Sequence, residues 1–264
     1  MKPFIKWAGG KRWLTSDPTF SLPDFSGRYI EPFLGGGAVF FDTRPKDALL
    51  SDINPKLIEV YLTVRDGWQL VLRELERLQR LHSKEFFYEE RRRRRKTPHT
   101  RAAQFLYLNR TCFNGLYREN QKGEFNVPIG SKDKVIFADE DFSEISKALR
   151  NAEIRASDFE GTIYEACKGD LIFADPPYTT AHNVNGFIKY NQNIFSWQDQ
   201  VRLREALLAA VDRGAKVVLT NADHESVRAL YGSHGAYRPI GRASVMSGKS
   251  EFRTSTTEAL YVFD

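Results

Sequence analysis

The sequence predicts an α/β fold: an open, mostly parallel sheet of the nucleotide-binding kind, interrupted by an inserted, mainly helical segment with a β-hairpin. Three observations support this. Leu171-Ile172-Phe173-Ala174 is a short apolar run ending in Asp175-Pro176-Pro177-Tyr178, the pattern of a buried strand entering a stiff turn. Residues 28–33 read as another strand, followed by Gly35-Gly36-Gly37 and a helix from about Ala38, the first unit of a nucleotide-binding sheet. Between these two regions, residues 56–82 place apolar side chains at helical spacing, and a basic stretch follows.

Taken in order, the chain begins with Lys6-Trp7-Ala8-Gly9-Gly10-Lys11. Its spacing is not that of a phosphate loop, and the residues alone fit a turn before a helix as well as a ligand site. The triple glycine departs from the dinucleotide fingerprint and also fits a tight turn. Residues 48–51 form a second strand that ends at Asp52-Ile53-Asn54-Pro55. An acid there can bind ribose hydroxyls or cap the next helix; Asn54-Pro55 already makes a good cap, which leaves Asp52 to a ligand. In the helical stretch, Gly67 is expected to break one helix into two.

Residues 91–95 are five consecutive arginines, read as a solvated surface or a phosphate-contacting edge. From 84 to 134 there are thirteen Lys or Arg against six Asp or Glu, a balance of +7. With a net charge of +5 over all 264 residues, the remainder carries −2, so the basic charge is concentrated where a nucleic-acid surface would need it. Residues 102–109 read as a helix and residues 109–130 as a hairpin with turns near Gly115 and Gln121-Lys122-Gly123. Basic, aromatic and amide side chains interleave along it, which suits either a structural hairpin or a groove reader.

The final third returns to the sheet. A helix is expected at 143–149 and a strand at 152–156, followed by Asp158-Phe159, which fit a cap and a core ring or a ligand contact. After Tyr178, residues 179–194 read as a polar loop. Ser196 caps a helix from Trp197, a strand covers 216–220, and 236–246 and 258–263 read as antiparallel strands flanking a basic segment at 248–256.

Asp175-Pro176-Pro177-Tyr178 has a chemistry of its own. The Asp175 carboxylate and the Pro176 carbonyl are two acceptors at a rigid spacing, suited to an amino group with two N–H bonds. Tyr178 offers a flat ring on which a heterocycle can stack. The two cysteines, Cys112 and Cys167, make no Cys-x-x-Cys pair, and no two of the five histidines have ligand spacing, so no metal site is expected. No apolar run has signal-peptide or membrane-spanning length, so no membrane association is expected.

The Asp-Pro-Pro-Tyr motif resembles that of amino-directed methyltransferases that use S-adenosylmethionine. Lys6–Lys11, Glu31-Pro32-Phe33-Leu34-Gly35-Gly36-Gly37, Asp52-Ile53-Asn54-Pro55 and the 109–130 hairpin resemble, in the same order, the Dam-type DNA adenine methyltransferases. That resemblance implies a Rossmann-like methyltransferase domain at 1–60 and 150–264, with an inserted target-recognition domain at 61–149. It implies methyl transfer from S-adenosylmethionine to the N6 amine of a flipped adenine in GATC, with Asp175, Pro176, Pro177 and Tyr178 catalytic. Trp7, Lys11, Pro32, Phe33, Gly35, Asp52, Asp158, Phe159 and Asp175 would bind the cofactor. Arg110, Phe113, Asn114, Leu116, Arg118, Asn126, Pro128 and Lys132 would meet double-stranded DNA, with Arg118 reading guanine. Phe113 and Lys132 stand where relatives often have tyrosine, which bears on the first base pair. The expected protein is a cytoplasmic monomer of a bacterial cell or phage-infected host. An RNA or cytosine-amine methyltransferase, or a non-catalytic DNA-binding module, are the alternatives.

Overall fold

The computed structural model describes residues 1–120, 122–181, 195–243 and 255–264. Among these, seven strands form one sheet: β1 (Tyr29–Glu31), β2 (Ala48–Asp52), β3 (Ala152–Ala156), β4 (Leu171–Ala174), β5 (Lys216–Ala222), β6 (Ala236–Ala243) and β7 (Ser255–Phe263). Their order is β3-β2-β1-β4-β5-β7-β6. β1 pairs in parallel with β2 and β4, β4 pairs in parallel with β5, and β7 runs antiparallel to β5 and β6. The order reverses between β1 and β4, and open α/β sheets take ligands beyond the carboxyl ends of strands at such a reversal. Both strands are buried along their whole length, as the continuous apolar run before Asp175 predicts.

The helices are α1 (Arg12–Thr15), α2 (Ala38–Thr43), α3 (Pro55–Leu81), α4 (Lys84–Arg92), α5 (Pro98–Thr111), α6 (Phe142–Leu149), α7 (Phe159–Tyr164), α8 (Trp197–Asp212) and α9 (Glu225–Tyr231). Among the described residues, no helix is long and apolar enough to cross a membrane.

The chain divides into two compact units. The first comprises Met1–Ser16, Gly35–Arg44 and Asn54–Ala156. Its centre is α3 against α5. Asn54 caps α3, its side chain accepting from the Lys56 and Leu57 amides at 3.0 and 3.2 Å. Gly67 departs from helical geometry (φ −155°, ψ 41°) and divides α3 into two helical stretches that meet at a kink, as the sequence predicts. The apolar stripe continues across the kink: Val60, Tyr61 and Val64 before it and Val71, Leu75 and Leu78 after it are all buried.

The arginine run is not a uniform solvated edge. It begins inside α4, which the sequence reading did not resolve and which Ser83 caps through the Phe86 amide at 3.1 Å. Arg95 turns inward to the fully buried Glu90, with two hydrogen bonds at 2.7 and 2.6 Å, and lies 3.4 Å from Glu74. Arg91 donates to the Val127 carbonyl at 3.2 Å. Arg92, Arg93 and Arg94 remain exposed.

The second unit comprises Asp17–Leu34, Pro45–Ile53 and Ser157–Asp264. Its core joins Ile30, Leu49, Ile172, Val217 and Leu219 of the sheet to Ile163 of α7, Leu203 and Leu207 of α8 and Val227 of α9. Ser196 and Asp199 form a capping box at the start of α8. The expected polar loop falls largely outside the described residues at 182–194. So do Gln121, the expected strand end at Met246, and the basic segment at 248–254.

Candidate active site and nucleic-acid interface

In the second unit, β4 delivers Asp175 to the carboxyl end of the sheet between β1 and β5. The Thr220 hydroxyl, at the matching end of β5, donates to Asp175 Oδ1 at 2.7 Å. Pro176 is buried and Pro177 half-buried, so the turn is packed as well as stiff. The Tyr178 hydroxyl donates to Glu258 Oε2 on β7 at 2.5 Å. Burial first, then the charges of Asp175 and Glu258, hold the Tyr178 phenol well above its ordinary pKa, so it remains a donor at neutral pH.

Behind the turn lies a buried amide network. Gln200 exchanges hydrogen bonds with Asn221 at 3.3 and 3.1 Å and donates to the Thr179 carbonyl at 3.3 Å. Tyr231 donates to Gln200 Oε1 at 2.9 Å, and Thr179 donates to the Phe195 carbonyl at 2.7 Å. The sequence reading missed Gln200, Thr220 and Glu258. For Gln200 a signal existed: it shares the helical face of Leu203, Leu207 and Ala210, all buried with it.

The other expected residues of this unit lie at neighbouring strand ends. Pro32 and Phe33 follow β1. Asp52 ends β2 half-buried, with its carbonyl accepting from the Ser157 amide at 3.1 Å. Phe33 stacks on Phe159 with centroids 5.3 Å apart, and Phe195 meets both rings. Asp158 caps α7 through the Glu160 amide at 3.0 Å and pairs with Arg202 at 3.0 Å. The Arg202 guanidinium sits 4.9 Å from the centre of the Phe159 ring. Asp158 and Phe159 thus have structural work as cap and core ring.

Trp7, Lys11 and Gly35 belong to the first unit. Gly35 adopts φ +48°, and a Cβ there would sit 2.7 Å from Trp7 Cδ1, so only glycine lets the indole lie against this turn. The Tyr61 hydroxyl fixes the turn by donating to the Gly35 carbonyl at 2.9 Å. On its other contacts the indole stacks with Tyr117 and Phe105, at 5.6 and 6.4 Å between centroids. Lys11 is 3% exposed and donates to the Gly9 carbonyl at 3.0 Å.

The hairpin is present, but its ladder is interrupted. Antiparallel bridges join Cys112 to Ile129 and Glu119 to Phe125. Between them a 3₁₀ turn, Phe113–Gly115, breaks the pairing, with Asn114 and Gly115 both left-handed (φ 56° and 64°). Asn109 anchors this turn: its side chain donates to the Gly115 carbonyl at 3.2 Å and bonds both backbone groups of Lys6. Lys6 in turn donates to the Asn114 carbonyl. Phe113, Asn114, Arg118, Pro128 and Lys132 are exposed, and Leu116 and Asn126 half-buried. Arg118 is exposed, and its Nε donates to Asn126 Oδ1 at 2.9 Å.

Arg110 lies elsewhere. Only 5% exposed, it pairs bidentately with Glu140 at 2.8 and 2.5 Å and donates to the Val135 and Phe4 carbonyls. It falls in the last turn of α5 with its side chain buried in the unit, and so placed it meets no DNA.

Comparison with known proteins adds a family. The model of the D12 class N6 adenine-specific DNA methyltransferases matches residues 7–245. The chain is 35% identical to the type II methyltransferase M1.LlaDCHI of Lactococcus lactis subsp. cremoris, over 98% of this chain and 94% of that protein. It is 37% identical to the type II methyltransferase M.MjaIII of Methanocaldococcus jannaschii, over 84% of each. It is 34% identical to the DNA adenine methylase of Escherichia coli K12, over 87% of this chain and 84% of that protein.

Proposed function

This chain belongs to the D12 class N6 adenine-specific DNA methyltransferases, and on that footing we propose that it methylates a flipped-out adenine within GATC in duplex DNA. The observation that supports the catalytic assignment most is the fixed carboxylate of Asp175, held by Thr220 at the carboxyl end of β4 and followed by Tyr178.

The lone pair of an adenine amine is delocalised into the ring, which makes it a weak nucleophile. Hydrogen bonds from the amine to Asp175 and to the Pro176 carbonyl localise that pair and aim it. Tyr178 stacks on the base, and Pro177 keeps the turn rigid. An amine inside a duplex cannot reach such acceptors, so the base leaves the stack. S-adenosylmethionine, when bound, supplies a sulfonium methyl with its own leaving group.

Each unit offers groups of the kind this cofactor needs. Trp7 lies over a turn that no side chain but glycine's permits, and Asp52 ends β2 as a ribose-binding acid would. Lys11, Pro32, Phe33, Gly35, Asp158 and Phe159 complete the proposed set. Arg118 is the proposed guanine reader. Phe113, Asn114, Leu116, Asn126, Pro128 and Lys132 supply the remaining DNA contacts, residues 61–149 forming the target-recognition domain. The protein acts as a cytoplasmic monomer.

The test is methylation of duplexes in which each position of GATC is varied, alongside RNA of the same sequence, with the modified base identified by mass spectrometry. N6-methyladenine in GATC duplexes alone is expected. Labelled cytosine, labelled RNA or preference for an unrelated site would overturn the corresponding part of the reading.

A further inference from the structure

Glu258 is a carboxylate with 5% exposure on a sheet strand, a placement that needs a paired partner. Strand alternation explains how it arrives there. In the β5–β7 ladder, Thr220 lies opposite Leu260 and Ala222 opposite Glu258. Cross-strand partners share a face, so Thr220 and Glu258 leave the sheet on the same side. The alternate residues Leu219, Ala259 and Tyr261 face the apolar core. The two polar side chains meet the two ends of one motif: Thr220 donates to Asp175, and Glu258 accepts from Tyr178.

A phenol has a single hydrogen to donate. Given to Glu258, that hydrogen is not given to Asp175, whose carboxylate must receive the substrate amine. We propose that Glu258 is a positioning residue for methyl transfer. It fixes the plane of the Tyr178 ring for stacking and directs the phenol hydrogen away from Asp175. The inference rests on the reading of Asp175 and Tyr178 as the transfer site, and it adds a third element, β7, to the apparatus that orients the amine. Thr220 acts in parallel by setting the rotation of the Asp175 carboxylate.

The test uses the full chain and unmethylated genomic DNA, with single-turnover methyl transfer measured for the wild type, E258A, E258Q, Y178F and the double variant Y178F/E258A. E258A should slow transfer at least about tenfold, the scale of a misplaced reacting group, while the KM for S-adenosylmethionine stays within about twofold. E258Q retains an acceptor oxygen and should recover most of the lost rate. The double variant should be no slower than the slower single variant, because both act through one contact. A near-normal rate in E258A, equal losses in E258A and E258Q, or multiplying losses in the double variant would each overturn the proposal.

A second readout needs neither substrate nor a fully folded E258A. A short hydrogen bond to a carboxylate should give a downfield hydroxyl proton resonance. It should vanish in Y178F and move upfield in E258Q; its persistence unchanged in E258Q overturns the contact. Absence of any transfer by the wild type would instead defeat the methylation reading, so the two failures are told apart.

Discussion

The indole of Trp7 and the phenol ring of Tyr117 are stacked, with centroids 5.6 Å apart and planes inclined by 21°. Tyr117 lies in turn on Phe105 at 4.3 Å and is the residue immediately before Arg118. One stack therefore joins a proposed cofactor contact to the strand that bears the proposed guanine reader. Aromatic pairs contribute about 0.5–1.5 kcal/mol beyond area, so Tyr117→Ala should weaken S-adenosylmethionine binding roughly 2- to 10-fold. Calorimetry on the folded variant decides it; an unchanged Kd would mean that Trp7 does not depend on the stack.

Arg118 and Asn126 form a second linked pair, the amide oxygen holding the guanidinium Nε at 2.9 Å. A bidentate arginine contact discriminates bases by about 1–3 kcal/mol, so Arg118→Ala should flatten preference at one base pair by that amount. Asn126→Ala should give a partial version of the same loss, because it frees the fork without removing it. Methylation rates on duplexes varied at each position test both; loss of rate on every duplex without change in preference would remove Arg118 from base reading.

The arginine run should separate into two behaviours. Arg92 and Arg94 are exposed, and neutralising both should lower the slope of DNA affinity against salt by up to about 2, roughly 0.9 per phosphate contact, whatever the sequence. Arg95→Ala should act on stability, since it removes the two short hydrogen bonds on the fully buried Glu90 carboxylate and leaves it only Gln104 at 3.1 Å and Arg93 at 3.8 Å among the contacts described, at a cost of about 1.5–3 kcal/mol. Salt titrations and urea unfolding distinguish them; an Arg95→Ala protein as stable as the wild type contradicts the assignment.

His82 should make stability depend on pH. Its ring shares a hydrogen bond with Tyr107 at 2.8 Å, and burial lowers its pKa below the ordinary 6.5. The unfolded chain therefore takes up a proton near pH 6.5 while the folded chain resists, and stability falls as pH drops from 6.5 towards the folded value. Above about pH 7 the group is neutral in both states and contributes no slope. Urea midpoints between pH 7.5 and 5.5 should fall less for His82→Gln than for the wild type; parallel curves would acquit His82.

Much of this was legible in the sequence because it is local. The apolar run before Asp175, the Asn54-Pro55 cap and the Ser196 cap each announce themselves within a few residues, and each is found. What stayed hidden depends on partners distant in the chain. Glu258 meets Tyr178 across 80 residues, and Arg110 meets Glu140 only after the hairpin has returned. Arg110 was expected at DNA from the family resemblance; its burial with a matched carboxylate leaves no mark on spacing. The arginine run divides in the same way: Arg92, Arg93 and Arg94 are exposed, while Glu90 within the charged stretch becomes the interior partner of Arg95.

The role proposed for the Asp175 carboxylate, orienting the adenine amine, is tested most directly by the single-turnover rate of methyl transfer to a GATC duplex for wild type and Asp175→Ala. Removing one oriented hydrogen-bonding group at a reacting centre costs roughly 10²–10³ in rate, so Asp175→Ala should fall at least about a hundredfold, with its melting temperature and S-adenosylmethionine binding retained. An Asp175→Ala protein that transfers methyl groups to adenine within a few-fold of the wild-type rate would contradict the account.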